Sequence, residues 1–492
     1  MSRIGGLTRQ ESMSRNTNVA SPQRPSHHAP TSGDLREVEP LPSAADVVVI
    51  GAGLAGLTAG LVAARAGTRT VVLDAHEGGG RGAVRRVPLV RPDGTGMAGT
   101  GMAATAVFNA GPRALYLGGA AKQVLDRLGV AQRGAKAPTA NSAALLCGRL
   151  DVLPSGPGSL ARTGIVARSS KPRLLECMAR IVTGRIPPGR PDQSATAWID
   201  GLARGRGDVA ATLGALFRVA TYAADLDVLS ADAAVPHVQH AFAKGVVYPD
   251  DGFQQFTDAL RLLADVAGVV VAGHAPVSSV EQLANGLWRV SCRDGRAVDA
   301  AAVVVAAGGP STAVGLLDAP DLGASLGPAA TAACLELAVA RPVPSRFVLG
   351  IDEPLYLSDH STAAKLAPAG VHVVHVARYG ATTASADQPR LAALASQAGI
   401  ADVDIVARRF LAKMVVHSAL PSVEGGGMSG RPSVAVAERP GVFLAGDWVG
   451  PVGLLADASL ASGESAGMLA AAHVHQRGTR SVRADAAASV TA

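Results

Sequence analysis

Residues 46–74 constrain the fold more than any other part of the chain. Val47, Val48, Val49 and Ile50 lead without a gap into Gly51-x-Gly53-x-x-Gly56. A short apolar run closed by glycine reads as a parallel strand buried on both faces. Residues 57–66 read as a helix dense in small side chains, and 70–74 as a second strand that ends on Asp74. Strand, glycine turn, helix and a second strand closing on a carboxylate form the opening βαβ unit of a dinucleotide-binding sheet. Gly51 permits the tight turn out of the strand, Gly53 lets the backbone approach a pyrophosphate, and Gly56 lets helix and strand pack closely. Ala52 and Ala55 stand between them. The helix N-terminus offers free N–H groups and a positive dipole end to phosphates. The Asp74 carboxylate can accept both hydrogens of a ribose diol.

That unit alone leaves NAD and FAD open. Two further features favour FAD, held noncovalently. Gly79-Gly80-Arg81 follows the second strand and puts a guanidinium within reach of a pyrophosphate. Far along the chain, residues 442–447 read as a strand delivering Gly446 and Asp447 to a turn. Gly446 allows close approach to a ligand, and Asp447 can bond a ribityl hydroxyl. The helix beyond that turn, over 457–473 with Leu455 just ahead of it, is expected to aim its N-terminus at the pyrimidine edge of a flavin. Negative charge gathers there on reduction.

Length and composition frame the rest. A chain of 492 residues, 48% hydrophobic and 17% charged, suits two to three domains with ample core. Aromatics are only 3%, so Ala, Val and Leu must do most of the packing. The net charge of +6 has no Lys/Arg run interleaved with aromatics, which argues against nucleic acid as a partner. Cys147, Cys177, Cys292 and Cys334 show neither metal nor redox spacing, so no metal site is expected. No apolar run of about 18 residues appears, so no transmembrane helix is expected. The expected location is cytoplasmic, with peripheral membrane contact if the substrate is apolar. Residues 1–44, rich in Ser, Pro, Arg and Asn, read as a disordered leader, and 476–492 as a disordered tail.

Between the nucleotide motifs, 268–272, 287–291 and 302–306 read as strands, 195–223 as helical, and 331–376 as alternating strands. The expected fold class is α/β: a Rossmann-like, discontinuous FAD-binding domain with an inserted α+β substrate domain. The FAD-binding parts are 45–125, 237–312 and 431–475; the substrate parts are 126–236 and 313–430.

Taken together, these pieces resemble the phytoene desaturase-related branch of the FAD-dependent amine oxidase and desaturase superfamily. The resemblance rests on 46–74, Gly79-Gly80-Arg81, the segment 108–116 with Gly111-Pro112-Arg113 and Tyr116, the segment 248–253, the segment 354–358 with Tyr356, and 442–448 through Trp448. It implies FAD contacts at Gly51, Gly53, Gly56, Asp74, Arg81 and Asp447, with Ala52, Ala55, Gly80, Gly446 and Leu455 completing the set. It also implies that the Val277 backbone meets the adenine and that Gly111-Pro112 borders the isoalloxazine. A Gly- and Met-rich insertion, 91–103, departs from the pattern. The implied activity is transfer of a hydride from a C–C (desaturation) or C–N bond of a small, apolar substrate, isoprenoids included, to flavin N5. A flavin amine oxidase and an FAD-bound non-redox isomerase or scaffold are the alternatives. Candidate catalytic residues are Arg113, Tyr116 and Asp457, the last also suited to a helix cap. Candidate substrate contacts are Tyr356, His360, His417 and Trp448.

Overall fold

The computed structural model describes residues 40–76, 80–91, 93–97 and 104–490, the side chains of Arg81 and 480–490 excepted. Residues 1–39, Gly79 and part of the 91–103 insertion therefore lie outside the described residues.

Strand Ala44–Ile50 is flanked by two parallel partners, Thr70–Leu73 on one side and Ala297–Val305 on the other. Val270–Ala272 extends the sheet beyond Thr70–Leu73, also parallel. At the far edge, Ala297–Val305 does two things. Its last residues, 303–305, pair in parallel with Val442–Leu444, and its first residues pair antiparallel with Trp288–Cys292 of a hairpin. Val47, Val48 and Val49 are completely buried, as a strand covered on both faces requires.

The helix after the glycine turn, Leu54–Arg65, sits against this sheet at very short range. A Cβ on Gly60 would come 2.8 Å from Val72 Cγ2. On its other side runs the long helix Leu455–Val490, where a Cβ on Gly463 or Gly467 would meet the carbonyls of Ala55 and Ala59 at 2.4 and 2.5 Å. Small residues on both helices thus let their backbones nearly touch. The expected disordered tail is helical backbone to Val490. Arg477, at the start of that stretch, donates to the carbonyls of Asn285 and Gly286.

The second sheet has seven strands, in the order Ile405–His417, Ala330–Val339, His372–Tyr379, Leu355–Asp359, Phe347–Gly350, Ser142–Leu146 and Arg149–Val152. Helix Ala384–Gln397 covers one face through Leu391, Leu394 and Ala395. A group of helices including Lys171–Thr183, Gly207–Thr221 and Ala231–Lys244 packs around the other end. The expected helical stretch 195–223 is two helices, Ala195–Ala203 and Gly207–Thr221. Arg204 and Gly205 both adopt left-handed φ, 54° and 74°, and break it. A small three-stranded sheet pairs Leu115–Tyr116 and Gly134–Lys136 with Val246–Pro249, all antiparallel.

Candidate functional site

In a parallel sheet, ligands bind beyond the carboxyl ends of the strands. Here those ends are Ile50, Leu73, Ala272, Val305 and Leu444. A cleft of about 770 Å³ opens just beyond them: Gly51, Asp74, Ala275, Ala306 and Gly446 all line it. Val277 and Arg293 mark one part of the wall; Pro112, Arg113, Tyr116 and Leu455 mark another.

The glycine turn has the geometry its sequence predicts. Gly51 has φ of 106°, and a Cβ there would sit 2.8 Å from the Ala306 carbonyl. A Cβ on Gly56 would lie 1.8 Å from the Gly51 carbonyl, so the third glycine is a packing requirement. Gly53 differs, because nothing of the protein lies within 4 Å of where its Cβ would be. The space a side chain would fill there opens to the cleft. Ala55 also lines the cleft, while Ala52 is buried and donates its N–H to Asp74 Oδ2 at 2.6 Å. Asp74 Oδ1 accepts from the His76 N–H at 2.8 Å. These bonds fix the carboxylate in the cleft wall, and each oxygen keeps a further lone pair for a ligand hydroxyl. Gly80, with φ of 48°, lines the same space, and a Cβ on it would lie 3.3 Å from Gly53 Cα. The side chain of Arg81 lies outside the described residues.

The distant segment closes the cleft. Asp447 Oδ2 accepts from the Ser418 N–H at 3.0 Å. Buried Arg431 donates to the carbonyls of Asp447, Val449 and Gly453 and so pins the turn 446–453. Burial pulls its guanidinium down to about 10, against the pull of Asp447. The long helix then starts at Leu455, whose φ is 56°, and Leu455, Ala456 and Ser459 all line the cleft. Two helix N-termini therefore converge on one space, as an anionic cofactor requires. The open cradle at Gly53, the fixed carboxylate of Asp74, the two helix ends and the exposed cation Arg293 fit a flavin dinucleotide.

A second cavity, of about 380 Å³, shares Arg113, Ala114, Tyr116 and Tyr222 with the first. Its wall is largely apolar, with Leu153, Met178, Leu216, Val219, Phe242 and Phe347. Tyr356 and His360 also line it. Among the described residues, no Asp or Glu does. The chain has only five tyrosines. Tyr116, Tyr222, Tyr248 and Tyr356 line this cavity, and Tyr379 packs edge-on against Tyr222 at 5.5 Å. The overall scarcity of aromatics therefore says nothing about the site, because the tyrosines are concentrated there. Their hydroxyls are largely committed: Tyr116 donates to Ala220 O at 2.7 Å, Tyr222 to Pro112 O at 3.1 Å, and Tyr248 pairs with Ser358 Oγ at 2.8 Å. Arg113 Nε donates to Asn109 O at 3.0 Å, and its guanidinium lies 6.0 Å above the Phe253 ring.

Three candidate residues lie away from both cavity walls. Asp457 is buried with Oδ1 accepting the Ala121 N–H at 2.8 Å, so it caps helix Ala120–Leu128 from a distant part of the chain. It is a cap, as its residue type allows, but of another helix than its own. Burial raises its carboxyl to about 6. His417 is fully buried, and it is its neighbour Val416 that reaches the cleft. Trp448 is buried in the core of the nucleotide sheet, with its indole against Gly446. Both fall beside the ligand space because the strand or turn that carries them places the adjacent residue there. Sequence reading missed Arg293, Arg431 and Tyr222. Arg293 and Tyr222 stand in no glycine motif, and only the fold brings them to the wall.

No cluster of His, Cys, Asp or Glu among the described residues is placed to hold a metal. No helix among them is long and apolar enough to cross a membrane. Comparison with solved structures finds the same fold in an oxidoreductase from Methanosarcina mazei, with TM-score 0.62 and 16% identity over 85% of this chain and 99% of that one. Cyclohexylamine oxidase from Brevibacterium oxydans IH-35A gives TM-score 0.59 and 14% identity over 88% and 99%. A double mutant of putrescine oxidase gives 0.58 and 14% over 86% and 98%. No protein of curated function matches the chain. A family profile described as flavin containing amine oxidoreductase matches residues 54–343, more than half of the sequence. With the βαβ unit, the closing segment and the cleft between them, this shows that the chain belongs to the flavin-containing amine oxidoreductase family and is an FAD-dependent oxidoreductase.

Proposed function

We propose that this enzyme oxidises an uncharged, apolar substrate by removing hydride from carbon, with C–C desaturation of the phytoene dehydrogenase-like type ahead of amine oxidation. One observation carries the reading: among the described residues, the cavity that shares its wall with the flavin cleft has no carboxylate lining it. An ammonium group buried there would meet Arg113 and no counter-charge, and burying an unpaired cation is costly. Apolar side chains make up most of the wall, and a volume of about 380 Å³ is adequate for a small molecule.

Bound in the cleft, the flavin supplies the two-electron acceptor for a C–H bond. The chain's own residues bind, orient and exclude water. Tyr116 and Tyr222, held by carbonyls of distant segments, form the shared wall and fix how close a substrate comes to the cleft. Arg113 stands in the same wall, where it can orient a carbonyl or hydroxyl.

The second reading, amine oxidation, is favoured by the family description and by the two amine oxidases that share the fold. Anaerobic mixing with a panel of isoprenoids, other neutral lipids and aliphatic amines separates the two. The expected result is loss of flavin absorbance near ~450 nm with neutral apolar compounds only. Bleaching by amines alone would reverse the assignment.

A further inference from the structure

His360 follows strand Leu355–Asp359 and lines the second cavity at 1% exposure. Its ring stacks on Tyr248 with centroids 3.8 Å apart and planes 7° from parallel. Its other neighbour, His375, meets it edge-on at 4.4 Å. Neither ring nitrogen of His360 has a hydrogen-bond partner among the described residues. Buried polar atoms are nearly always satisfied, so one left over in a cavity wall can take its partner from a molecule bound there. The tyrosine hydroxyls of Tyr116, Tyr222 and Tyr248 already have partners, and among the described residues of this wall His360 is the buried polar side chain left without one.

The surroundings decide what kind of ligand. Burial, and then His375, hold the His360 imidazole far below its ordinary range, so it is neutral. A neutral imidazole offers one donor and one acceptor. Behind it, His375 Nδ1 lies 3.5 Å from Glu336 Oε1, which accepts the Gly111 N–H at 2.9 Å, while Arg409 approaches Glu336 Oε2 at 3.6 Å. Glu336 is thus committed to the backbone beside Pro112 and to Arg409, and it does not reach the cavity wall. The charged group in that wall, among the described residues, is Arg113. An ammonium head finds no counter-ion from these side chains, whereas a hydroxyl or carbonyl oxygen finds a neutral partner.

We propose that His360 binds an uncharged oxygen of the substrate, and that the substrate class is therefore an apolar molecule with one alcohol or ketone function. The inference rests on the reading that the second cavity is the substrate site. It is tested by calorimetric titration of the full-length, flavin-loaded protein with three probes of one skeleton: phenylpropanol, propylbenzene and phenylpropylammonium. Phenylpropanol is expected to bind at least about tenfold more tightly than the ammonium probe. His360→Phe keeps the stacked ring and removes both nitrogens. It should weaken phenylpropanol by about three- to tenfold, the worth of one hydrogen bond, and leave propylbenzene unchanged. His360→Asn should recover part of the loss. Leu216→Trp, which fills the cavity, should abolish binding of all three.

If Leu216→Trp removes binding while His360→Phe leaves phenylpropanol unaffected, the role of His360 is overturned and the cavity stands. Unchanged phenylpropanol affinity in Leu216→Trp would overturn the cavity as the substrate site. Tighter binding of the ammonium probe would overturn the substrate class. Retained melting temperature and flavin content in each variant separate these outcomes from misfolding.

Discussion

At the scale of single residues, the glycine motif was legible because each glycine answers a different steric demand. Gly56 has no room for a Cβ, whereas Gly53 has room that only a ligand would use. Gly56→Ala is therefore expected to destabilise the fold by about 1–3 kcal/mol through overpacking, visible as a lower Tm and a lower ratio of flavin to protein. Asp74→Ala should act mainly on the cofactor. Loss of a charged acceptor is worth about 1.5–3 kcal/mol, so flavin affinity should fall by about tenfold or more in an equilibrium titration of the apoprotein. Asp457 shows the limit of reading residue types. An aspartate at the start of a helix looked like a cap, and no pattern in the sequence marks Ala121 as its partner 336 positions away. Its carboxyl titrates near 6 when folded and near 3.8 otherwise. Between those pH values the folded protein holds a proton that the unfolded chain lacks. Its contribution to stability is therefore full below about pH 4 and is lost as pH rises to about 6. The shift corresponds to roughly 3 kcal/mol. His237, 3.8 Å away, works in the opposite direction, because burial lowers it from 6.5 to about 3 and its contribution grows as pH rises through that window. The difference between wild type and Asp457→Asn isolates the aspartate. Asparagine keeps the acceptor for Ala121 and removes the buried charge. We expect it to stabilise by about 1–3 kcal/mol at pH 8 and by nothing at pH 4, measured by urea unfolding.

Among the elements, the parallel strands announced themselves as apolar runs: the observed Thr70–Leu73, Val270–Ala272 and Val442–Leu444 lie inside the expected ones, and the antiparallel Trp288–Cys292 lies within one residue of its own. Buried strands are easy to read because both faces are apolar. The break at Arg204 was not legible, since an arginine in left-handed conformation leaves no mark in composition. Nor was strand Ile405–His417, which carries exposed Arg408 and Lys413 and half-buried Arg409 and shows no continuous apolar run. The contact between helices Leu54–Arg65 and Leu455–Val490 joins the two distant halves of the cleft. Gly467→Ala places a methyl 2.5 Å from the Ala59 carbonyl. It should cost about 1–3 kcal/mol and loosen flavin binding as well, although residue 467 touches no part of the cleft wall. Flavin dissociation followed by fluorescence would show both effects.

For the whole molecule, the cofactor cleft was legible and the proposed substrate cavity was not. The cleft is built by motifs whose spacing follows from phosphate and ribose chemistry. The cavity is built by side chains from many segments, Tyr116 from a short strand, Tyr222 from the end of helix Gly207–Thr221, Phe347 and Tyr356 from the second sheet, and His360 from the turn just after it. Tyr356 and His360 could be named from their segment but not placed against Tyr248 or Leu216. What only the fold supplies is a wall whose described residues include no acid, and the proposed chemistry depends on it. Analysing the product of a single anaerobic turnover by mass spectrometry tests that chemistry most directly, using whichever compound bleaches the flavin. A product lighter by two hydrogens, with a new C=C bond and every heteroatom retained, is the predicted result. A product that has lost nitrogen and gained a carbonyl oxygen, with ammonia or a free amine released, would contradict it.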